Sequence, residues 1–209
     1  MRIITGTARG IQLETLPGDA TRPTTERVKE ALFSMIQFDI EGRRVLDLFA
    51  GSGQLGLEAL SRGAAHATFI DMSRDAVNVI LKNAAATRLK DRARVAAMDF
   101  KAYLSGIKPE GIFDIIFLDP PYNTSCMKEA LSLIRSVGAL REGGWIVCET
   151  DTEVEERKKK KKRRREEEED VTAEVASDVF DNDSELMSSF ELVKSTRYGR
   201  TRITLLTTK

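Results

Sequence analysis

The 209-residue sequence has little of what several protein classes require. Its two cysteines, Cys126 and Cys148, lie far apart without metal-ligand spacing, so we interpret both as reduced thiols. No apolar run approaches the roughly 20 residues of a membrane helix, and the opening MRIITGTARG lacks the apolar stretch of a secretory signal. We therefore expect a cytoplasmic protein of one ordinary domain, with neither a membrane segment nor a bound metal.

The sequence also lacks net charge, with 33 basic and 33 acidic residues. This balance argues against a surface uniformly coated with positive charge for gripping duplex nucleic acid. Any nucleic-acid site must therefore be a local patch. Residues 155–170, EERKKKKKRRREEEED, are interpreted as a solvated, low-complexity insertion. A polybasic contact with RNA phosphates is the alternative, which the adjoining acidic block weakens.

Short apolar runs alternate with helical patterns in the middle of the chain. Strands are predicted at residues 44–49, 67–71, 93–98, 113–119 and 144–150, and helices at 55–61, 74–87, 100–105 and 126–136. This alternation predicts an α/β fold with a doubly wound, Rossmann-like parallel sheet. Residues 190–196 and 201–207 leave no room for a crossover helix and predict a C-terminal antiparallel hairpin. That combination is the usual plan of methyltransferases that use S-adenosylmethionine (SAM).

The first 40 residues differ in character from the rest. Residues 3–16 predict a short β-ribbon that turns near Arg9, and residues 25–37 predict a helix with Thr24 as its N-cap. We therefore divide the chain into an N-terminal extension, 1–40, and a methyltransferase domain, 41–209.

A glycine-rich loop follows the first predicted strand of the sheet, in VLDLFAGSGQLG (45–56). Its glycines fit the dinucleotide fingerprint, and Asp71 ends the next strand about twenty residues later. The match alone does not separate NAD from SAM. Asp47, inside the strand, suits the ammonium and sulfonium of SAM better than a pyrophosphate. The one histidine, His66, is predicted in the loop before the second strand, away from the ligand, so no acid–base residue for hydride transfer is evident.

A buried strand runs directly into a rigid turn in FDIIFLDPPY (113–122). Two prolines fix the backbone, so Asp119 and the Pro120 carbonyl can accept the two N–H bonds of an exocyclic amine while Tyr122 stacks on its base. Acceptors on both hydrogens direct the nitrogen lone pair at a methyl donor. The pattern predicts in-line transfer driven by positioning and electrostatics.

Four stretches together resemble one known family: RIITGTARG (2–10), RPTTERVKEALF (22–33), LDLFAGSG (46–53) and DPPY (119–122). The chain is similar to the bacterial SAM-dependent methyltransferases that modify a guanine N2 in 16S ribosomal RNA. The likeness covers about residues 1–150 and returns in the Tyr198-Gly199 hairpin. The charged region between them has no counterpart that we recognise.

The resemblance implies a role for each matching residue. The SAM site would comprise Asp47, Phe49, Gly51 and Gly53 at the methionine end, Asp71 at the ribose, and Met72, Asp99 and Phe100 at the adenine. The catalytic turn would comprise Asp119, Pro120, Pro121 and Tyr122. RNA would meet Arg2, Arg9, Arg22 and Thr24. The expected partner is 16S rRNA or the assembling small subunit, bound by a monomer.

Three other functions are left open by the sequence. A DNA adenine-N6 or cytosine-N4 methyltransferase would use the same turn, although no segment here is long enough for a dedicated recognition domain. An NAD-dependent oxidoreductase rests on the glycine fingerprint alone. A non-catalytic RNA-binding module would have no reason to keep a SAM pocket.

Overall fold

The computed structural model describes residues 1–16, 26–107, 112–121, 125–151 and 188–209. Arg22, Thr24, Tyr122 and the charged segment 155–170 lie outside these ranges, so their roles stay predictions. No helix within the described ranges is long and apolar enough to cross a membrane.

Within the described ranges, seven strands form one sheet in the order β3-β2-β1-β4-β5-β7-β6. Strands β1 to β5 are parallel, and β7 lies antiparallel between β5 and β6. The elements in chain order are α1 (Glu26–Met35), β1 (Arg44–Asp47), α2 (Gln54–Ser61), β2 (His66–Asp71), α3 (Arg74–Ala86), β3 (Ala93–Ala97), α4 (Phe100–Ser105), β4 (Phe113–Leu118), α5 (Cys126–Val137), β5 (Leu140–Asp151), β6 (Phe190–Tyr198) and β7 (Thr201–Thr208).

The central strands are apolar on both faces because helices cover both. Every residue of β4, FDIIFL, is buried. On one face Val45, Ile115 and Phe117 join the core formed with α2 and α3, and on the other Leu46 and Ile116 join the core formed with α4 and α5. This double covering explains why the strands read as continuous apolar runs rather than alternating ones.

The sheet reverses its winding direction between β1 and β4. The chain runs outward from β1 through β2 to β3, then returns to pair β4 with the other edge of β1, aligning Asp47 with Phe117. Loops that leave the carboxyl ends of such neighbouring strands diverge and open a crevice, where α/β proteins bind their ligands. The fold therefore places the glycine loop and the DPPY turn side by side.

The N-terminal ribbon packs into the same core as the sheet. Its strands pair through an antiparallel bridge between Arg2 and Gln12, and Ile3 is fully buried. Glu58 of α2 accepts hydrogen bonds from the first ribbon strand and an ion pair from Lys29 at 3.3 Å, with both side chains fully buried. Burial lowers the pKa of Lys29, and the nearby Glu58 charge opposes that shift. Ribbon, α1 and α2 are thereby fixed to one another.

The predicted fold class is confirmed, with two local corrections. His66 is not in a loop: it is the first, exposed residue of β2, because its backbone pairs with Arg44. The fifth strand begins at Leu140, before the predicted start at 144, because Leu140 pairs with Phe113 across an irregularity in the register. Cys148 is fully buried, as expected of a small core residue.

Candidate active site

A cavity of about 550 Å³ opens at the carboxyl ends of the parallel strands. Segments from nearly every strand end contribute to it. The lining residues are Met1, Thr15, Asp47, Leu48, Phe49, Ala50, Gly51, Ser52, Gln54, Leu55, Asp71, Met72, Met98, Asp99, Phe100, Asp119, Pro121, Cys126, Glu149, Asp151, Arg200 and Thr201. Residues of the glycine loop and two residues of the turn after β4, Asp119 and Pro121, thus meet in this one cavity.

The glycine loop turns the chain sharply from β1 into α2. Gly51 and Gly53 have φ values of 53° and 78°, which side chains disfavour. The Gly51 amide donates to the Asp71 carboxylate at 2.9 Å, joining the loop to the end of β2. Gly53 is the N-cap residue of α2 and is not among the residues that line the cavity; a Cβ there would lie 3.2 Å from Ile80. Its positive φ shapes the loop, and its contact with the cofactor stays a prediction.

Asp47 lies at the floor of the cavity and is almost fully buried. Its carboxylate accepts one hydrogen bond, from the Gly56 amide at 3.0 Å. The pKa of Asp47 is raised to about 7, chiefly by burial; the Gly56 hydrogen bond opposes the shift, and the charges of Asp119 and Asp71 add to it. A cation bound in the cavity would relieve this unfavourable burial of charge.

Acidic residues surround the cavity. Each parallel strand ends at or near a carboxylate: Asp47, Asp71, Asp99, Asp119, and the pair Glu149 and Asp151. Among the described lining residues Arg200 is the one basic side chain, and it lies 3.5 Å from Asp151. No group of carboxylates in the described chain has an arrangement that could hold a metal ion. The cavity favours a cationic ligand and disfavours a pyrophosphate.

One further acceptor faces the same space. Gln54 lines the cavity as the first residue of α2, and its carboxamide oxygen is buried without a hydrogen-bond partner in the described structure. A buried acceptor left unpaired is costly, whereas a ligand N–H could satisfy it. This residue was not identified from the sequence because the glycine fingerprint leaves its position unspecified.

An apolar rim lies beside the ends of β2 and β3. The rings of Phe49 and Phe100 lie 5.0 Å apart at 51°, and Met72 and Met98 are 79% and 42% exposed. Exposed methionines are adaptable surfaces for a flat ring. Asp99 caps α4 through one oxygen, which accepts from the Lys101 and Ala102 amides. The combination suits an aromatic heterocycle that carries an amine.

The described part of the turn after β4, residues 119–121, contributes to the same cavity. Asp119 is half-buried and lines the cavity with Pro121, whereas Pro120 is buried and does not line it. The Leu48 amide donates to the Phe117 carbonyl at 3.2 Å, so the β1 and β4 ends remain paired up to the loops. The turn is thus held at a fixed distance from the glycine loop.

The predicted RNA-contacting arginines of the ribbon lie apart from the cavity lining. Arg2 is half-exposed and forms an ion pair with Glu26 at 2.9 Å. Arg9 is exposed in the ribbon turn, whose Ala8 amide donates to Ser61 at the last residue of α2. Since α2 begins at the cavity, Arg9 lies at the helix end remote from it. Any contact of Arg9 with RNA would be peripheral to the site.

Comparison with known proteins identifies the family. A family model described as conserved hypothetical protein 95 matches residues 1–177. The chain is 39% identical over 153 residues to ribosomal RNA small subunit methyltransferase D of Escherichia coli strain K12, covering 73% of this chain and 76% of the relative. YlbH of Bacillus subtilis, named as a candidate rRNA methyltransferase, is 45% identical over 156 residues, covering 74% and 85%. The chain belongs to this family.

The solved structures agree. Escherichia coli yhhF, described as a candidate methyltransferase, superposes with a TM-score of 0.75 at 29% identity, covering 100% of this chain and 98% of the other. This chain is accordingly a methyltransferase. Of the functions left open by the sequence, neither the oxidoreductase nor the non-catalytic RNA-binding module describes it.

Several lining residues of this methyltransferase were not identified from its sequence. Glu149, Asp151, Arg200 and Thr201 meet the cavity because β7 inserts beside β5, pairing Asp151 with Thr201. The signal available was the alternation of acids in the strand, CETD (148–151), directly after an apolar run. Met1 and Thr15 enter from the ribbon, for which the local sequence has no recognisable signal.

Proposed function

We propose that this chain transfers the methyl group of SAM to the exocyclic N2 amine of a guanine in 16S ribosomal RNA. The observation that carries the proposal is the acidic cavity shared by the glycine loop after β1 and the Asp119–Pro121 turn after β4. A donor bound by the first loop would face an amine bound at the second. The names of the relatives, which specify ribosomal RNA of the small subunit, support the choice of substrate.

The residues present fit SAM, which supplies a methyl group activated by a sulfonium. Asp47, Gly51 and the unpaired Gln54 oxygen suit its ammonium and sulfonium. Asp71 would accept from the ribose hydroxyls. The adenine would lie along the Phe49, Phe100, Met72 and Met98 rim, with Asp99 accepting from its amine. A dinucleotide would bring two phosphates into a cavity surrounded by carboxylates, which Coulomb repulsion disfavours.

The amine would be held by the DPPY turn. Asp119 and the Pro120 carbonyl would accept hydrogen bonds from the two N–H groups of the guanine amine. These bonds favour a pyramidal nitrogen and direct its lone pair toward the methyl group to be transferred. Tyr122 would stack on the guanine ring. As positive charge develops on nitrogen, Asp119 stabilises it, and Asp119 or solvent takes the proton. The rate enhancement would come from alignment and electrostatic preorganisation rather than from covalent catalysis.

RNA would approach over the rim that carries the hairpin and the ribbon. Arg200, 68% exposed at the cavity edge, can reach a phosphate next to the target base. Arg2 and Arg9, with Arg22 and Thr24, would contribute backbone contacts that position the RNA without reading its sequence. A monomer acting on 16S rRNA or on the assembling subunit is the simplest form of the reaction.

The experiment is mass mapping of rRNA and genomic DNA from cells that lack this protein, with and without re-expression. We expect one 16S guanine to lose its N2 methyl group in the deletion and to regain it on re-expression. Re-expression of Asp119→Ala should leave it unmethylated. A change at adenine N6 or cytosine N4 in DNA would instead support the DNA-methyltransferase alternative, and no change in either nucleic acid would refute the proposal.

A further inference from the structure

The N-terminal ribbon reaches the cavity at its second strand. Thr15 lines the cavity beside Ser52 of the glycine loop, although the two residues are far apart in the chain. Leu13 is buried in the core, but Glu14 and Thr15, which follow it, are both exposed. Something must therefore hold residues 14 and 15 against the glycine loop.

Asn83 of α3 makes that connection. Its side chain is 1% exposed. The carboxamide oxygen accepts from the Glu14 amide at 2.8 Å, and the carboxamide nitrogen donates to the Glu14 carbonyl at 3.0 Å and to the Ser52 carbonyl at 2.9 Å. Both N–H groups and the oxygen of Asn83 are thus used, pairing with the backbone of Glu14 as a neighbouring β-strand would.

We infer that Thr15 forms part of the wall of the methyl-donor site and that Asn83, bonded to the backbone of the preceding residue, is the positioning residue that holds this wall to the glycine loop. The inference rests on the proposed use of SAM. The bond to Ser52 is buried and the two bonds to Glu14 are partly buried, so loss of the side chain leaves three backbone groups without their partner. Residues 14–15 would then be free to leave the glycine loop, and the cavity would lose one side.

The chain offers a control for each half of this inference. Lys82, the neighbour of Asn83, also reaches Glu14, through an ion pair of 3.2 Å between side chains that are 65% and 60% exposed. Such exposed pairs stabilise little. Gln12 is exposed on the same ribbon strand as Thr15 but does not line the cavity. Lys82→Ala and Gln12→Arg therefore perturb the same ribbon segment without altering Thr15 or the three bonds of Asn83.

The test is SAM affinity by calorimetry on the full-length protein, with thermal denaturation beside it. We expect Asn83→Ala and Thr15→Arg each to weaken SAM binding at least tenfold, while Lys82→Ala and Gln12→Arg stay within twofold of the wild type. Thr15→Arg places bulk and positive charge at the wall of a cation site without altering the three bonds of Asn83, so its fold should persist even if Asn83→Ala does not fold.

The outcomes separate the inference from the proposed function. A wild-type protein that does not bind SAM refutes the proposed function. If the wild type binds SAM and the Thr15→Arg variant binds it with equal affinity, the claim that Thr15 lines the methyl-donor site is refuted. A folded Asn83→Ala variant that melts earlier but binds SAM as the wild type does makes Asn83 merely structural, and so overturns its positioning role.

Discussion

Asp47→Asn tests whether the cavity is built for a cation. Asp47 is 2% exposed, and its pKa is raised to about 7, chiefly by burial. Asparagine has nearly the same shape, and its carboxamide oxygen can accept the Gly56 amide in place of the carboxylate. The substitution therefore removes the charge while keeping the hydrogen bond that ties β1 to α2.

The effect on stability has a definite sign. The folded protein keeps the Asp47 proton up to about pH 7, whereas the unfolded chain releases it near the usual aspartate pKa of 3.8. Stability therefore falls as pH rises between these values, by about 4 kcal/mol at most, and is flat above them. Asparagine lacks this penalty, so the variant should gain stability relative to the wild type as pH rises from 5 to 8.

The SAM affinity of the wild type should change with pH in the direction opposite to its stability. If the ionised form of Asp47 binds the cation, wild-type affinity should rise about eightfold between pH 6.0 and 7.5, as the linkage for a pKa of about 7 requires. The amino group of SAM, with a pKa of about 7.7, loses part of its proton by pH 7.5, so the rise falls to about fivefold if binding also requires the ammonium form. The variant should bind more weakly at pH 7.5 and show little dependence on pH.

Calorimetry of SAM binding at several pH values, with urea denaturation at pH 5 and pH 8, measures both effects. No SAM analogue is needed as a control, because the Asp47→Asn variant lacks the titrating carboxylate. Wild-type affinity that is equal at pH 6.0 and 7.5, or a variant that binds SAM as tightly as the wild type at pH 7.5, would refute the role of Asp47.

Three further substitutions test the account elsewhere. Arg200→Ala should raise the KM for RNA and leave SAM affinity unchanged. It should also lower the slope of log RNA affinity against log salt concentration by about 1, and Arg197→Ala on the same hairpin should change that slope less. A slope for Arg200→Ala equal to that of the wild type would exclude a phosphate contact at Arg200. Gly56→Ala places a Cβ 2.3 Å from the Phe69 ring and should cost about 1–3 kcal/mol in urea denaturation, so unchanged stability would contradict the packing described. Lys29→Met leaves the buried charge of Glu58 without its lysine partner and should lower the free energy of unfolding by about 3 kcal/mol. A variant as stable as the wild type in urea denaturation would contradict this.

The features predicted from sequence are those whose cause is local. Continuous apolar runs predicted the buried strands because helices cover both sheet faces. The loop glycines were evident because the chain must turn there with positive φ, as Gly51 and Gly53 do. Order along the chain then placed the β1 and β4 loops together, since parallel winding leaves few alternatives.

The features that the sequence did not reveal depend on partners distant along the chain. Asn83 looks like an ordinary polar residue of α3, and its function depends on Glu14, 69 positions away. Arg200 follows a hairpin turn, and only the insertion of β7 beside β5 brings it to the cavity. At Gly53 a side chain would meet Ile80 of α3, a tertiary neighbour that the glycine fingerprint alone does not reveal.

The central claim is that the DPPY turn acts on the amine rather than on the methyl donor. Single-turnover transfer from labelled SAM to small-subunit RNA lacking this methyl group, compared between the wild type and Asp119→Ala, tests it directly. We expect the variant to bind SAM within a few-fold of the wild type but to transfer methyl roughly 10²–10³ times more slowly, as loss of a preorganised electrostatic partner does. Transfer at a near-normal rate would contradict the account.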